Sequence, residues 1–219
     1  MPKSIKNFLA TFTTKEYPII SFNGGMIELN SNIIYNSTLN KNEIPKIVEE
    51  SLKRNFYIQA YHKNKLFVPF NCNKAINYSV HASIDFTVEE DFLNYVTKSN
   101  LNKCLIIEDN DVITSLKREY ERKYLETEFV ISDNEYLDIL PKNTNKGLAA
   151  EFLCDYLGLN ISEMVAIGDN YNDIPMFKKA GLGIAMNNSS EEVKKYADII
   201  APGNDESGFA YIIDKLLLK

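Results

Sequence analysis

The stretch of this 219-residue chain with the clearest chemical promise is Gly168-Asp169-Asn170-Tyr171-Asn172-Asp173, which directly follows the apolar run Met164-Val165-Ala166-Ile167. Two carboxylates in a Gly/Asn turn offer hard oxygen ligands of the kind Mg²⁺ takes. If the apolar run is a buried parallel strand, the turn lies beyond its carboxyl end, where open α/β sheets bind ligands. Asn172 then falls near the start of the next helix, whose backbone N–H groups favour an anion. A second signal is Asn145-Lys146-Gly147, opening the helix before that strand. A lysine there can point its ammonium at the same sheet edge and hold a phosphate oxygen. Each motif also has a plainer reading. Asp and Asn cap helices and fill turns, and most lysines are solvated surface residues.

The elements that must position these residues read as alternating helix and strand. Leu148 to Leu157 is expected to be a helix with Leu148, Phe152, Leu153 and Tyr156 facing inward, closed by Gly158. Then come strand Met164 to Ile167, helix Ile174 to Lys179, strand Leu182 to Met186, helix Glu191 to Tyr196, strand Asp198 to Ile200 and helix Phe209 to Leu218. Alternation of this kind marks parallel βαβ units.

The earlier part has a different texture. A helix is expected over Ser4 to Phe12, a strand over Pro18 to Phe22 ending in the turn Asn23-Gly24-Gly25, and a strand over Ile33 to Tyr35. A helix from Glu43 to Leu52 follows, with Pro45 confined to its first turn. Phe56 to Tyr61 and Lys65 to Val68 alternate like a hairpin around Lys63-Asn64. Thr87 to Val96 reads as a helix, Lys103 to Ile107 as a strand, Val112 to Tyr124 as a helix, and Glu128 to Ile131 and Tyr136 to Leu140 as two strands. This mixture suggests an α+β module with one partly open sheet. The expected organisation is a discontinuous core from residues 1–26 and 138–219, with the strand near Ile20 in its parallel part. Residues 27–137 form an inserted α/β domain.

Composition narrows the function. The net charge is -6 with no basic tract, which argues against nucleic acid as a partner. No run approaches the roughly 20 apolar residues of a membrane helix, and the first residues lack the apolar core of a signal peptide. Cys72, Cys104 and Cys154 stand far apart, and His62 and His81 have no metal-ligand companions. A disulfide framework or zinc site is therefore not expected, and a reducing cytoplasm is the natural location.

Taken together, the motifs resemble a known family. Leu140-Pro141-Lys142-Asn143-Thr144-Asn145-Lys146-Gly147, Leu157-Gly158-Leu159, the Gly168 to Asp173 loop, Ala180-Gly181, Ala185-Met186-Asn187-Asn188, Ala197-Asp198 and Gly203-Asn204-Asp205-Glu206-Ser207-Gly208 follow the order and spacing of Cof-type phosphatases of the haloacid-dehalogenase-like superfamily. Ser21-Phe22-Asn23-Gly24-Gly25 resembles that family's Asn-Gly-Ala turn, where the chain enters the cap. The resemblance implies a partial doubly wound parallel-sheet (Rossmann-like) core with an inserted α/β cap, and Mg²⁺-dependent hydrolysis of a small phosphorylated metabolite. It implies that Lys146 and Asn172 bind phosphate, that Asp169 ligates Mg²⁺ and that Asp173 supports the metal shell. Positioning and charge neutralisation are what phosphoryl transfer needs.

The sequence also departs from the family. Neither the D-x-D-G-T motif, which holds the nucleophilic aspartate, nor the Thr/Ser-Gly-Arg motif occurs in it. The expectation is a scaffold truncated at its N-terminus and inactive as an isolated chain. Two alternatives stand beside it. One is a non-catalytic remnant or binding module. The other is half of a split phosphatase, with a partner segment or second chain completing the core sheet. Glu108-Asp109-Asn110-Asp111 after the strand Cys104 to Ile107 imitates a D-x-D motif, but Val112 stands where that motif needs glycine. Asp111 fits better as the cap of the helix from Val112. In the expected cap, Tyr61, His62 and Phe67 are candidates to face a substrate, with packing as the plainer reading.

Overall fold

The computed structural model describes residues 2–11, 13 and 15–217. Met1, Phe12 and Leu218, which belong to the expected chain start and to the ends of the first and last expected helices, lie outside the described residues. The chain divides into two compact units, Met1–Thr144 and Asn145–Lys219.

The first unit opens with α1 (Pro2–Leu9), β1 (Ile19–Ser21), β2 (Met26–Leu29) and β3 (Asn32–Asn36). Phe22, Asn23 and Gly24 between β1 and β2 all have positive φ, at 52, 53 and 106°. So tight a turn folds the chain back on itself, and β1 pairs antiparallel with β2, Ile20 opposite Ile27. Among the described residues, β1 belongs to the sheet β1-β2-β3 and has no pairing in the parallel sheet. This differs from the parallel place expected for Ile20.

After α2 (Ile44–Lys53) come β4 (Tyr57–His62), β5 (Lys65–Val68), α3 (Asn73–Ala82), β6 (Phe86–Val88), α4 (Phe92–Lys98), β7 (Lys103–Ile107), α5 (Asn110–Lys123), β8 (Thr127–Asp133) and β9 (Tyr136–Pro141). They build a six-stranded sheet in the order β6-β5-β4-β7-β9-β8, antiparallel throughout apart from β5 with β6. Lys63 and Asn64 at the β4–β5 turn both have positive φ, as a two-residue hairpin loop of the primed type requires. Side chains alternate across the strands. Ile58, Ala60, Cys104 and Ile106 join a core with α2, α4 and α5. Tyr57, Tyr61, Leu105 and Ile107 join a second core with Ala75 of α3, Phe22 and Met26. The sheet is thus covered on both faces around β4 and β7, where a partly open sheet was expected. Two further differences follow from weak periodicity. The helix expected over Thr87 to Val96 is split into β6 and α4. The unforeseen α3 buries only Ala75, while Ile76 and Val80 are exposed, so its sequence carries little amphipathic signal.

The second unit contains α6 (Lys146–Leu157), β10 (Val165–Gly168), α7 (Ile174–Phe177), β11 (Leu182–Met186), α8 (Glu191–Lys194), β12 (Ile199–Ala201) and α9 (Gly208–Ile212), which continues as a wide helical turn, Ile213–Leu217. The strands are parallel in the order β10-β11-β12. Ala166 and Ala185 pack with Phe177 and Val193 on one face of the sheet. Ile184, Met186 and Ala201 pack with Ile212 on the other. This is the expected α/β class, a parallel sheet wound on both sides. The buried face of α6 differs from expectation. Gly147, Ala149, Ala150 and Cys154 are buried, whereas Leu148 and Tyr156 are 38% and 56% exposed. A Cβ on Gly147 would lie 2.2 Å from the carbonyl oxygen of Pro175 in α7. The helices approach so closely that small residues are selected at their contact.

Candidate functional site

The close approach at Gly147 sets the first distance of the site, because it carries Lys146 to the loop between β10 and α7. Asn145 caps α6, its Oδ1 accepting from the Leu148 N–H at 2.9 Å. Lys146, the first residue of α6, donates through Nζ to Asp173 Oδ1 at 2.5 Å and to Asn172 Oδ1 at 3.2 Å. Asp173 is only 4% exposed. Its other oxygen, Oδ2, accepts from the backbone N–H groups of Asp169 and Asn170 at 2.9 and 3.0 Å. Asn170 and Asp173 cap each other reciprocally. Gly168 makes room for this arrangement, since a Cβ there would fall 2.5 Å from the Asp173 carboxylate. A buried carboxylate is costly unless it is paired and hydrogen-bonded, and Asp173 is both.

The structure therefore brings the four residues singled out in the sequence to one loop and separates their roles. Lys146 and Asn172 touch. Asp173, expected to support the metal shell, has one oxygen on Lys146 of α6 and the other on two backbone N–H groups of its own loop. Asp169 is exposed, and its Oδ2 lies 3.4 Å from Asn188 Nδ2. Sequence reasoning quoted Asn145, Asn170 and Asn188 within its motifs but gave none of them a role. Among the described residues no group of three or more His, Cys, Asp and Glu side chains forms a metal cage. The donor chemistry still fits Mg²⁺ at one position, because that ion is commonly held by one or two carboxylates with water and substrate phosphate. Asp169 is the carboxylate placed to do so.

The residues weighed in the first unit have other tasks. Cys104 to Ile107 lies in β7, antiparallel to both neighbours, so Asp109 and Asp111 do not follow a parallel strand. The helix starts at Asn110, which puts Asp109 at the cap position, two residues before the expected Asp111, and Asp111 in the first turn. Tyr61 is 1% exposed, and burial pushes its phenol well above the ordinary tyrosine value. His62 Nδ1 and the Tyr95 hydroxyl lie 2.7 Å apart, and the Phe67 ring packs tilted against Tyr95, centroids 4.5 Å apart. These are packing roles. Cys104 is buried, and desolvation raises its thiol pKa, which makes it unreactive.

Comparison with known proteins decides the family. The haloacid dehalogenase-like hydrolase family profile matches residues 1–213. This chain belongs to that family. It is 30% identical over 245 aligned positions to 5-amino-6-(5-phospho-D-ribitylamino)uracil phosphatase YwtE of Bacillus subtilis, covering 95% of this chain and 83% of the relative. The crystal structure of TM0651 from Thermotoga maritima matches with a TM-score of 0.85 and 31% identity, covering 99% of this chain and 82% of that one. A haloacid dehalogenase-like hydrolase from Bacteroides thetaiotaomicron matches with a TM-score of 0.83 and 28% identity, covering 99% and 81%. The Cof-type resemblance read from the motifs and the α/β fold class agree with these matches.

Proposed function

We propose that this member of the haloacid dehalogenase-like hydrolases carries the phosphate-binding half of a Mg²⁺-dependent phosphatase site for a small phosphorylated metabolite. The observation that carries the reading is Lys146 Nζ held between Asn172 Oδ1 and Asp173 Oδ1 at the carboxyl edge of a parallel sheet. An ammonium has three donors, and those two contacts leave one to offer a phosphate oxygen. Asn172 hydrogen-bonds the same phosphate, and Asp173 keeps the Lys146 ammonium aimed. Asp169 would supply the carboxylate ligand of Mg²⁺, which when bound neutralises charge on the phosphoryl oxygens.

The reading extends to architecture and location. The parallel sheet of the second unit belongs to the core, and the six-stranded module of the first is the cap that selects the substrate. The partners are a small phosphorylated metabolite and a segment or second chain that completes the core sheet, with no nucleic acid and no membrane. Among the described residues no helix is long and apolar enough to cross a membrane. The free Cys72, Cys104 and Cys154 fit a cytoplasmic location.

No residue of the sequence matches the family's D-x-D-G-T nucleophile, so the chain alone should bind phosphate without appreciable turnover. Calorimetry with inorganic phosphate and Mg²⁺ should detect binding that Lys146→Met weakens roughly 10- to 100-fold. An aryl phosphate assay should show turnover only when a relative's segment carrying D-x-D-G-T is added. Phosphate binding indifferent to Lys146→Met would sink the site. Robust turnover by the chain alone, lost in Asp109→Asn, would move the nucleophile to the first unit.

A further inference from the structure

The loops after the three parallel strands meet through one side chain. Asn188 lies in the loop after β11, and its amide faces two ways. Its Oδ1 accepts from the backbone N–H of Asn204, in the loop after β12, at 3.1 Å. Its Nδ2 lies 3.4 Å from Asp169 Oδ2, in the loop after β10. The two contacts fix the amide orientation together. A backbone N–H can only donate and an ionised carboxylate can only accept, so the oxygen must face Asn204 and the nitrogen Asp169. The loop after β12 is itself held, because Glu206 Oε2 accepts from the Gly203 N–H at 2.9 Å and Asn204 Oδ1 from the Asp205 N–H at 2.9 Å. Asp169 thus leans on an anchored support. Asn187, its neighbour in sequence, is exposed like Asn188 itself and makes neither of these two contacts.

We infer that Asn188 is a positioning residue for Asp169: it holds one carboxylate oxygen so that the other points to a divalent cation, and it ties this geometry to the loop after β12. The inference rests on the proposed role of Asp169. An outer partner of a ligating carboxylate fixes its orientation, and losing such a partner commonly costs metal affinity without unfolding the protein.

The test uses the full chain and Mn²⁺ as probe, read by electron paramagnetic resonance without substrate. Asn188→Ala should weaken Mn²⁺ binding roughly 10-fold, with unchanged melting temperature and faster hydrogen exchange at the Asn204 amide. Asn204→Pro removes the anchoring N–H and keeps Asn188. Proline suits a first helical position, and Gly203 before it already has an extended ψ of 167°. It should weaken Mn²⁺ binding in the same direction. Asn187→Ala should change neither reading. Unchanged Mn²⁺ affinity in Asn188→Ala, with Asp169→Asn abolishing binding, would overturn the inference and leave the proposed site intact. Wild-type protein that binds no Mn²⁺ would overturn both. Unchanged Asn204 exchange in Asn188→Ala would show that the bridge is absent and would overturn the inference alone.

Discussion

Each unit of the molecule holds a buried aspartate against a lysine, and the two pairs are used differently. In the first unit Lys103 Nζ meets Asp138 Oδ1 at 2.6 Å, with side chains 13% and 1% exposed. Asn23 Nδ2 donates to the other oxygen at 2.6 Å, and the Lys103 ammonium lies over the Tyr61 ring. That pair is enclosed; it joins β7 to β9 and pins the positive-φ turn at Asn23. In the second unit Lys146 meets Asp173 with side chains 30% and 5% exposed. Here the carboxylate is enclosed while the ammonium reaches solvent, next to the exposed Asp169. The same ion pair is a structural tie where both ends are buried. Where only the anion is buried, the cation stays open to a ligand, as the proposed phosphate site requires.

The largest expected effect tests the enclosed pair. Lys103→Met leaves Asp138 buried without its cation and should cost about 3–5 kcal/mol. Urea unfolding should show the loss, and hydrogen exchange should place it at β7 and β9. Phosphate binding by the remaining folded protein should be unchanged.

Next comes the helix contact that positions the accessible pair. Gly147→Ala forces a methyl onto the Pro175 carbonyl and should cost about 1–3 kcal/mol. The loss should appear as faster exchange in α6 and α7, with the six-stranded sheet unaffected. Equal loosening of both units would break the comparison.

Lys146→Met should cost less stability than Lys103→Met, about 1–2 kcal/mol, because Asp173 keeps two backbone N–H donors. Phosphate affinity, however, should fall roughly 10- to 100-fold, the worth of one charge-assisted hydrogen bond. A stability loss as large as that of Lys103→Met, with phosphate affinity intact, would reverse the roles assigned to the two lysines.

The smallest effect concerns pH. Burial, with the nearby Lys63 charge, lowers the His62 pKa below its usual value. The folded protein therefore binds this proton less readily than the unfolded chain. The stability contributed by neutral His62 is complete above about pH 6.5 and is lost as pH falls through the lowered folded value. His62→Phe should flatten that part of a urea-midpoint profile measured from pH 8 to pH 5. An unchanged slope would assign the dependence to another group.

Much of the site was legible before the fold was known. Glycine at 147 and 168, with Lys146, Asp169, Asn172 and Asp173, marked the residues that the structure draws together, since glycines beside polar residues at a strand end signal close backbone approach. Their division of labour was not legible. Spacing alone treats Asp169 and Asp173 as equivalent carboxylates, and only the packing of α6 on α7 takes Asp173 out of solvent and gives it Lys146. The contacts of Asn188 were not legible for a similar reason, because its two partners lie 19 and 16 positions away.

The sequence by itself determined what short-range chemistry controls. It determined β7 from Lys103 to Ile107, the Lys63-Asn64 hairpin, the left-handed Gly158 cap at φ 69° and the parallel alternation after Lys146. Tertiary structure decided the antiparallel pairing of β1, the strand order β6-β5-β4-β7-β9-β8 and the buried face of α6. The physical reason is that periodicity groups side chains on a common face but does not say what covers that face. For α6 the cover was a neighbouring helix too close for leucine, so the small residues went inside and Leu148 and Tyr156 stayed out.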